Sequence, residues 1–478
     1  MRLIHIKEPF LDFNLGQHED IRYGIMNYHP FDVDLETAPS QINLGIVGTS
    51  KTIQGCLDWI DRCRNEISAK KSPLKNLFVR FPGYSEESCF KSTIHVEERD
   101  KRNIPEREIN KITKCVDRNQ AIENAVNLYV DSIKFLANES KVDVVICSLP
   151  EEVLLLKTPS LVEEDGINES YEENVVQYNF HHMLKARAMT FRIPIQLVIP
   201  STYGQKIKIA KHILSRELQD EATRAWNFFS ALYYKANGTP WRLPRISSDL
   251  STCYVGISFY RSLDEHAVNT SIAQVFNELG DGIIIRGAQA QVTKEDLQPH
   301  LSASDAEILI EDALSRYQQE HKTRPARIVV HKSSHFSECE KEGFLSGIEK
   351  SNISEYDLMS VRRTGTRLYR IGNYPPLRGT LWDLDDTNHV IYTRGSVYFY
   401  ETYPGMYIPH PILLRTELSE RPSDMLAKEI LGLTKMNWNS TQFDHSMPIT
   451  ICAADKVGDV LKYLPAGSEL CPRYSYYM

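Results

Sequence analysis

The chain has 478 residues, 42% of them hydrophobic and 25% charged, with a formal net charge of −8 at pH 7. That is the make-up of a soluble globular protein, and the length exceeds one ordinary core, so two or three domains are expected. No apolar run approaches the roughly 20 residues that cross a bilayer, which excludes a membrane-spanning protein and points to the cytoplasm.

The opening MRLIHIKEPFLDF has no signal-peptide core, because Lys7, Glu8 and Pro9 interrupt it. Residues 1–40 read as an irregular segment with turn-prone anchors at Glu8–Phe13 and Tyr28–Phe31. Ile42–Val47 reads as a first buried strand, followed by a Gly-Thr-Ser turn. An amphipathic helix then runs from about Thr52 to Ile67, with Cys56, Ile60 and Cys63 on one face. Asn76–Phe81 reads as a second strand, and residues 84–118 as an irregular or loosely helical excursion. A helix over Ala121–Ala137 leads to a strand at Val142–Cys147, an acidic loop at Leu156–Asn174, a helix at His181–Met189 and a strand at Ile195–Ile199. Buried, non-alternating strands separated by helices imply a parallel α/β sheet. A Rossmann-like domain is therefore expected over residues 41–240. It lacks GxGxxG, and Gly45–Lys51 has the wrong glycine spacing for a P-loop. Gln205–Ala236 reads as a further helical stretch whose stripe of Trp226, Phe229, Leu232 and Tyr233 is core packing. It exits through Asn237-Gly238 into a Pro-rich boundary at 239–250.

The second domain, 241–478, contains three short apolar runs bounded by turns or charges, as buried strands are: Thr252–Arg261, Gly282–Arg286 and Arg327–His331. A helix over Ala303–Gln319 separates the last two. A helix at Ser337–Lys350, a strand at Asp357–Arg362, a hairpin-like pair at Val390–Thr393 and Gly395–Glu401, and a helix at Ser423–Leu431 follow. The order describes an RNase-H-like core, whose central strand carries an acid that helps to hold a divalent metal. Two-metal phosphodiester cleavage needs several carboxylates converging on metals about 4 Å apart. The positions that should supply them hold Ser258, Gln289 or Gln291, Ser333, and Ala454 or Asp455. At most one is an acid, and a hydroxyl is a poor ligand for a hard cation. No catalytic residue is therefore expected.

A second constellation could hold a phosphate. His181 and Lys185 are spaced i, i+4 on one helix face, Gln196 follows on the next strand, and Lys235 ends a later helix. Two cations with an amide donor suit a terminal phosphate, which carries more charge than an internal diester. Singly, each has an ordinary reading as a surface pair or a helix-end cation. The nine cysteines are scattered without metal-ligand spacing and read as reduced thiols. The net charge argues weakly against a nucleic-acid protein, although the local field in a groove counts for more than the total. The basic stretches at Arg324, Arg327, His331 and Lys332, and at Arg362, Arg363, Arg367 and Arg370, read as solvated faces when taken alone.

The chain resembles a short prokaryotic Argonaute built of MID and PIWI domains alone. The resemblance is carried in order by Glu8–Phe13 with Arg22-Tyr23-Gly24, by Lys235–Trp241 (similar to a K-a-G-G-x-P-W segment, with Asn237 for a usual Gly), by Val255–Ser258, Arg286-Gly287, Pro299-His300-Leu301, Pro325–Ser334 and Leu433–Asn439. It implies a MID domain over 41–240 that grips a guide's 5′-phosphate through His181, Lys185, Gln196 and Lys235, with His182 as an alternative register for His181. It implies a PIWI domain over 241–478 in which Ser258 and Ser333 stand where cleaving members carry Asp. A one-residue shift decides whether Asp455 matches the last catalytic position. It further implies that the Met478 carboxylate meets Mg²⁺ beside the phosphate, in a structural role. The expected function is to hold a short 5′-phosphorylated guide RNA and capture a complementary single-stranded DNA target without cutting it. Pairing would activate an APAZ-containing partner, with a Sir2 or TIR effector that degrades NAD⁺ in antiviral and anti-plasmid defence. No PAZ-sized domain precedes the MID-like sheet. Two other readings stay open: an active guided nuclease, and a structural scaffold in a toxin complex.

Overall fold

The computed structural model describes residues 1–154, 156, 178–205, 218–244, 251–263, 267–276, 282–292, 296–369, 371–372, 375–405, 407–465 and 467–478. The expected acidic loop at 156–174 lies almost wholly outside these residues, as do parts of the Gln205–Ala236 stretch and of the 239–250 boundary.

Residues 1–40 are only partly irregular. They form strands β1 (Arg2–His5), β2 (Leu11–Asp12) and β3 (Gln17–His18) and helix α1 (Ile21–Tyr28). Asp20 caps α1 by accepting from the Arg22 and Tyr23 amides, and Ile21 and Ile25, one turn apart, are buried. That start signal went unread because the helix is short. Arg22 is fully buried, pairs with Asp20 at 3.0 Å and donates to the Leu77 carbonyl at 2.8 Å. Glu8 pairs with Arg378 at 2.8 Å and with buried Lys435 at 2.8 Å. A buried charge needs such partners, so these pairs tie the segment to the rest of the molecule.

The first α/β unit comprises β4 (Gln41–Gly48), α2 (Ser50–Arg62), β5 (Thr93–His95), β6 (Lys101–Asn103), α3 (Glu106–Thr113), α4 (Arg118–Glu139), β7 (Val144–Ser148), α5 (Glu151–Leu154), α6 (Phe180–Ala188), β8 (Ile195–Val198) and α7 (Glu221–Lys235). The strands run in the order β5-β4-β7-β8, with β6 also on β4, and every pairing is parallel. This is the expected Rossmann-like layout. Its buried strands lack alternation because helices cover both faces. The expected strand at Asn76–Phe81 is absent. Phe81 makes one isolated bridge with Ile67 and otherwise anchors the core, 5.3 Å from the Trp226 ring and 5.5 Å from that of Phe229. Its apolar residues serve as side-chain anchors, not as a ladder. Residues 84–118, expected to be irregular or loosely helical, supply helix α3 and also the short strands β5 and β6.

The second unit comprises β9 (Thr252–Arg261), β10 (Val268–Phe276), β11 (Gly282–Gln289), β12 (Gln291–Val292), β13 (Pro299–His300), α8 (Ala303–His321), β14 (Arg327–Lys332), α9 (Glu338–Lys350), β15 (Glu355–Arg363), β16 (Thr380–Asp383), β17 (Asn388–Ile391), β18 (Ile412–Leu418), α10 (Ser423–Thr434) and α11 (Ile449–Leu461). A nine-stranded sheet runs β1-β16-β17-β18-β15-β14-β9-β10-β11. Its centre is parallel, β9 on β14 and β14 on β15, and the flanking pairs are antiparallel. The hairpin is β16–β17, not 390–401. Asp385 closes it by accepting from the Thr387 and Asn388 amides, an Asx turn that the sequence Asp-Asp-Thr-Asn favours. Residues 395–401 make only isolated bridges, Ser396 with Leu377 and Val397 with Thr402. Helices α8 and α9 share a core with Val255, Ile257, Ile328 and Val330, while α11 crosses β9 so closely that a Cβ on Gly256 would sit 2.1 Å from the Thr450 carbonyl oxygen.

One core cluster joins the two sheets through Trp226, Trp241 and Trp438. Trp241 Nε1 donates to the Lys435 carbonyl at 3.0 Å, and Trp438 Nε1 to the Trp241 carbonyl at 3.3 Å. All nine cysteines are free thiols. No described helix is long and apolar enough to cross a membrane.

Candidate functional site

Lys185, Gln196 and Lys235 come from three elements; the two lysines reach Tyr477 and Met478, and Gln196 meets Lys235. Asn179 caps α6, its Oδ1 accepting from the His181 and His182 amides at 2.9 and 3.3 Å. One turn on, buried Lys185 donates from Nζ to the Tyr477 carbonyl at 3.1 Å. Gln196 lies on β8 opposite Ile146 of β7. The buried stripe of α7 drives its C-terminal end inward, and Lys235, its last residue, is 2% exposed. Lys235 Nζ donates to the Ile195 carbonyl at 2.8 Å, to Gln196 Oε1 at 2.6 Å and to the Met478 oxygen at 3.2 Å. His181 stands half-exposed one turn before Lys185, its ring 5.5 Å from that of His182.

Burial pushes the Lys235 ammonium down to about 7; nearby Cys147 opposes this and Lys456 adds to it. Two of the three partners are neutral oxygens, and burial disfavours the charged form. Such a group favours an incoming anion. The chain turns away after Lys235 through Asn237, whose φ of 70° is left-handed. Asn237 is one of the residue types that tolerate this conformation, which explains how it stands in for a glycine. Arg473 donates to the Asn237 side chain, and the Tyr476 hydroxyl to the Arg192 carbonyl at 2.7 Å. Tyr477 and Met478 are buried at 1% and 3% exposure. Reading the sequence missed the part played by Tyr477; the available signal was the aromatic tail RYSYYM, which a core would bury.

The second cluster lies where the parallel strands β9 and β14 end. Ser333 N donates to the Ile257 carbonyl at 2.9 Å, and the Ser258 and Ser333 hydroxyls are 3.1 Å apart. Ser258 Oγ also makes a short hydrogen bond to Asp455 Oδ1. Asp455, not Ala454, is therefore the residue of α11 that joins the two serines; Ala454 is buried in the core. Gln289 and Gln291 are exposed on β11 and β12. Asp455 is open to solvent on one side and crowded by protein on the others. Desolvation pushes its carboxyl up to about 6, with Asp459 adding to the shift and the Ser258 bond and Arg363 opposing it. Among the described residues no group of three or more His, Cys, Asp or Glu is placed to hold a metal. The turn between β4 and α2 is closed by its own capping box, Thr49 with Thr52.

No protein-family model matches the chain. In sequence it is similar to the Protein argonaute of Aquifex aeolicus (strain VF5), with 25% identity over 249 residues, which is 51% of this chain and 33% of that protein. In structure it is similar to Clostridium butyricum Argonaute bound to a guide DNA and a 19-mer target DNA, with a TM-score of 0.62, 16% identity, and coverage of 99% of this chain and 54% of that one. It is also similar to Drosophila Piwi, with a TM-score of 0.57, 13% identity, and coverage of 99% and 56%. The chain thus spans about half the length of the solved structures it matches. Over nearly all of its residues, a Rossmann-like unit followed by an RNase-H-like one, this protein has the MID–PIWI fold of the Argonaute and Piwi proteins.

Proposed function

We propose that the chain grips the 5′-phosphate of a short guide strand with Lys185, Gln196 and Lys235, and captures complementary nucleic acid by base pairing. The observation that carries this is the convergence of Lys235 on Gln196 and the Met478 oxygen at 2.6 and 3.2 Å. A terminal phosphate dianion supplies the charge this pocket lacks and accepts from ammonium and amide donors together. His181, at the open end of α6, adds a further donor. Specificity then comes from pairing, and the protein reads backbone and strand end. The test is direct binding of 5′-phosphorylated and 5′-hydroxyl strands of one sequence, as RNA and as DNA. Equal affinity for the two ends sinks the reading.

Mg²⁺ fits beside the same phosphate. Met478 offers a hard oxygen donor, and Mg²⁺ prefers few protein oxygens completed by phosphate and water. Bound there, it would neutralise phosphate charge. On this reading the chain does not cleave its target, because Ser258 and Ser333 stand where further carboxylates would be needed beside Asp455. Guide-directed cuts in the presence of Mg²⁺ or Mn²⁺ that vanish in Asp455→Ala would overturn that part.

The finer reading has an RNA guide, a single-stranded DNA target, a cytoplasmic setting and an APAZ-containing partner whose Sir2 or TIR effector degrades NAD⁺ in defence against viruses and plasmids. Its support is the run of motifs from Glu8–Phe13 to Leu433–Asn439. Native pull-down with sequencing of the bound strands tests it. Recovery of a lone chain without an NAD⁺-degrading subunit removes the partner.

A further inference from the structure

Helix α6 presents His181 and Lys185, so the placement of its first turn decides where those donors point. Its own cap, Asn179, satisfies the amides of the first turn. The backbone N–H of Asn179 lies outside the helix and donates instead to the Tyr463 hydroxyl at 2.7 Å. Tyr463 follows α11 by two residues, and its ring meets that of Tyr178 edge-on, 6.2 Å away at 78°. The same α11 carries Asp455 and is pinned against β9 at Gly256. A rigid helix thus runs from the serine–aspartate cluster to the start of the phosphate helix, and Tyr463 is the polar contact at its far end.

We propose that Tyr463 is a positioning residue for the 5′-phosphate site: its hydroxyl holds Asn179, the cap of α6, so that α6 and α11 keep one relative placement. This rests on the phosphate reading given above. Removing the hydroxyl leaves the Asn179 N–H without its acceptor and lets the first turn of α6 drift. Charge-assisted hydrogen bonds to phosphate depend on that placement, whereas contacts along a strand's backbone do not.

The experiment is Tyr463→Phe in the full chain, with binding measured for strands bearing a 5′-phosphate or a 5′-hydroxyl. The preference for the phosphate end should fall roughly three- to tenfold, the range of one net hydrogen bond, while affinity for the hydroxyl end stays unchanged. Tyr178→Leu removes the ring contact but keeps the hydroxyl, and should retain the preference. An unchanged preference in Tyr463→Phe, or an equal loss in Tyr178→Leu, overturns the proposal and leaves the phosphate site standing. A wild-type chain with no preference overturns both. If Tyr463→Phe does not fold, hydrogen exchange on the wild-type protein decides the matter. Residues 178–184 should gain protection when the phosphorylated strand is added and not when the hydroxyl strand is; equal protection by the two overturns it.

Discussion

Two polar clusters in this molecule are short of charge in opposite senses. Lys235 is a buried cation whose partners are carbonyl and amide oxygens and the Met478 oxygen. Asp455 is a carboxylate bonded to the Ser258 hydroxyl, which in turn meets Ser333, with Asp459 adding like charge near by. The first arrangement is completed by an anion, and a strand's phosphate end supplies one. The second is completed by cations only if more acids stand beside it, since paired divalent metals need several carboxylates between them. The contrast teaches that the number of charges left over, more than the shape of the cluster, decides what each can hold.

The comparison breaks most readily at the cations. Lys185→Glu with Lys235→Glu should lower affinity for a 5′-phosphorylated strand on the order of a hundredfold or more, because each charge-assisted bond contributes about 1.5–3 kcal/mol and the new carboxylates repel phosphate. Retention of the wild-type preference for the phosphate end, measured by filter binding, would dissolve the contrast. The next test rebuilds the other side. Ser258→Asp with Ser333→Asp surrounds Asp455 with carboxylates, so Mn²⁺ at about a hundred times its Kd should stabilise that variant by about 2.7 kcal/mol and leave the wild type unmoved. Equal thermal shifts in both would mean that the serines are not what withholds the metal.

A third test uses pH. The Lys235 pKa is lowered to about 7 by burial, so in the free protein it sheds its proton from pH 7 upward. A bound phosphate draws that proton back, and binding therefore takes up a proton above pH 7. Phosphate-specific affinity should fall by up to about tenfold per pH unit between pH 7 and 9, and in Lys235→Met it should be flat. The sign for stability is the reverse. The folded state loses the proton before the unfolded one, so this group's destabilisation is full below pH 7 and fades towards the ordinary lysine pKa. Unfolding midpoints of wild type and Lys235→Met should converge as pH rises from 7 to 10. The smallest effect is expected at the acid. Asp455→Asn, being nearly isosteric, should change guide affinity by less than about 0.5 kcal/mol, and a larger loss would show that the carboxylate contributes to strand binding.

Periodicity made much of the fold legible. Helix α4 and strands β7, β8, β9 and β14 announce themselves as long helical spacing or short apolar runs between turn residues. Asn76–Phe81 looked the same and is not a strand, because Phe81 spends its apolar surface on Trp226 and Phe229. Strand β1 was unreadable since its partner β16 lies far off in the sequence, at Thr380–Asp383. At the site, residue types and spacing suggested His181, Lys185, Gln196 and Lys235, the resemblance gave them a role, and the structure brings Gln196 and Lys235 within hydrogen-bond reach. The acceptor for Lys185 was not legible, because Tyr477 is 292 residues away, and nothing local encodes a contact that distant. Whether Ala454 or Asp455 faces Ser258 depends on the phase of α11, which the close approach at Gly256 sets.

The burial of Tyr477 and Met478 has a practical side. A label or a charged substitution at either, Met478 being 3% exposed, would push the tail off Lys185 and Lys235 and disturb the very donors under study. Exposed Cys339 is the better place for a fluorophore.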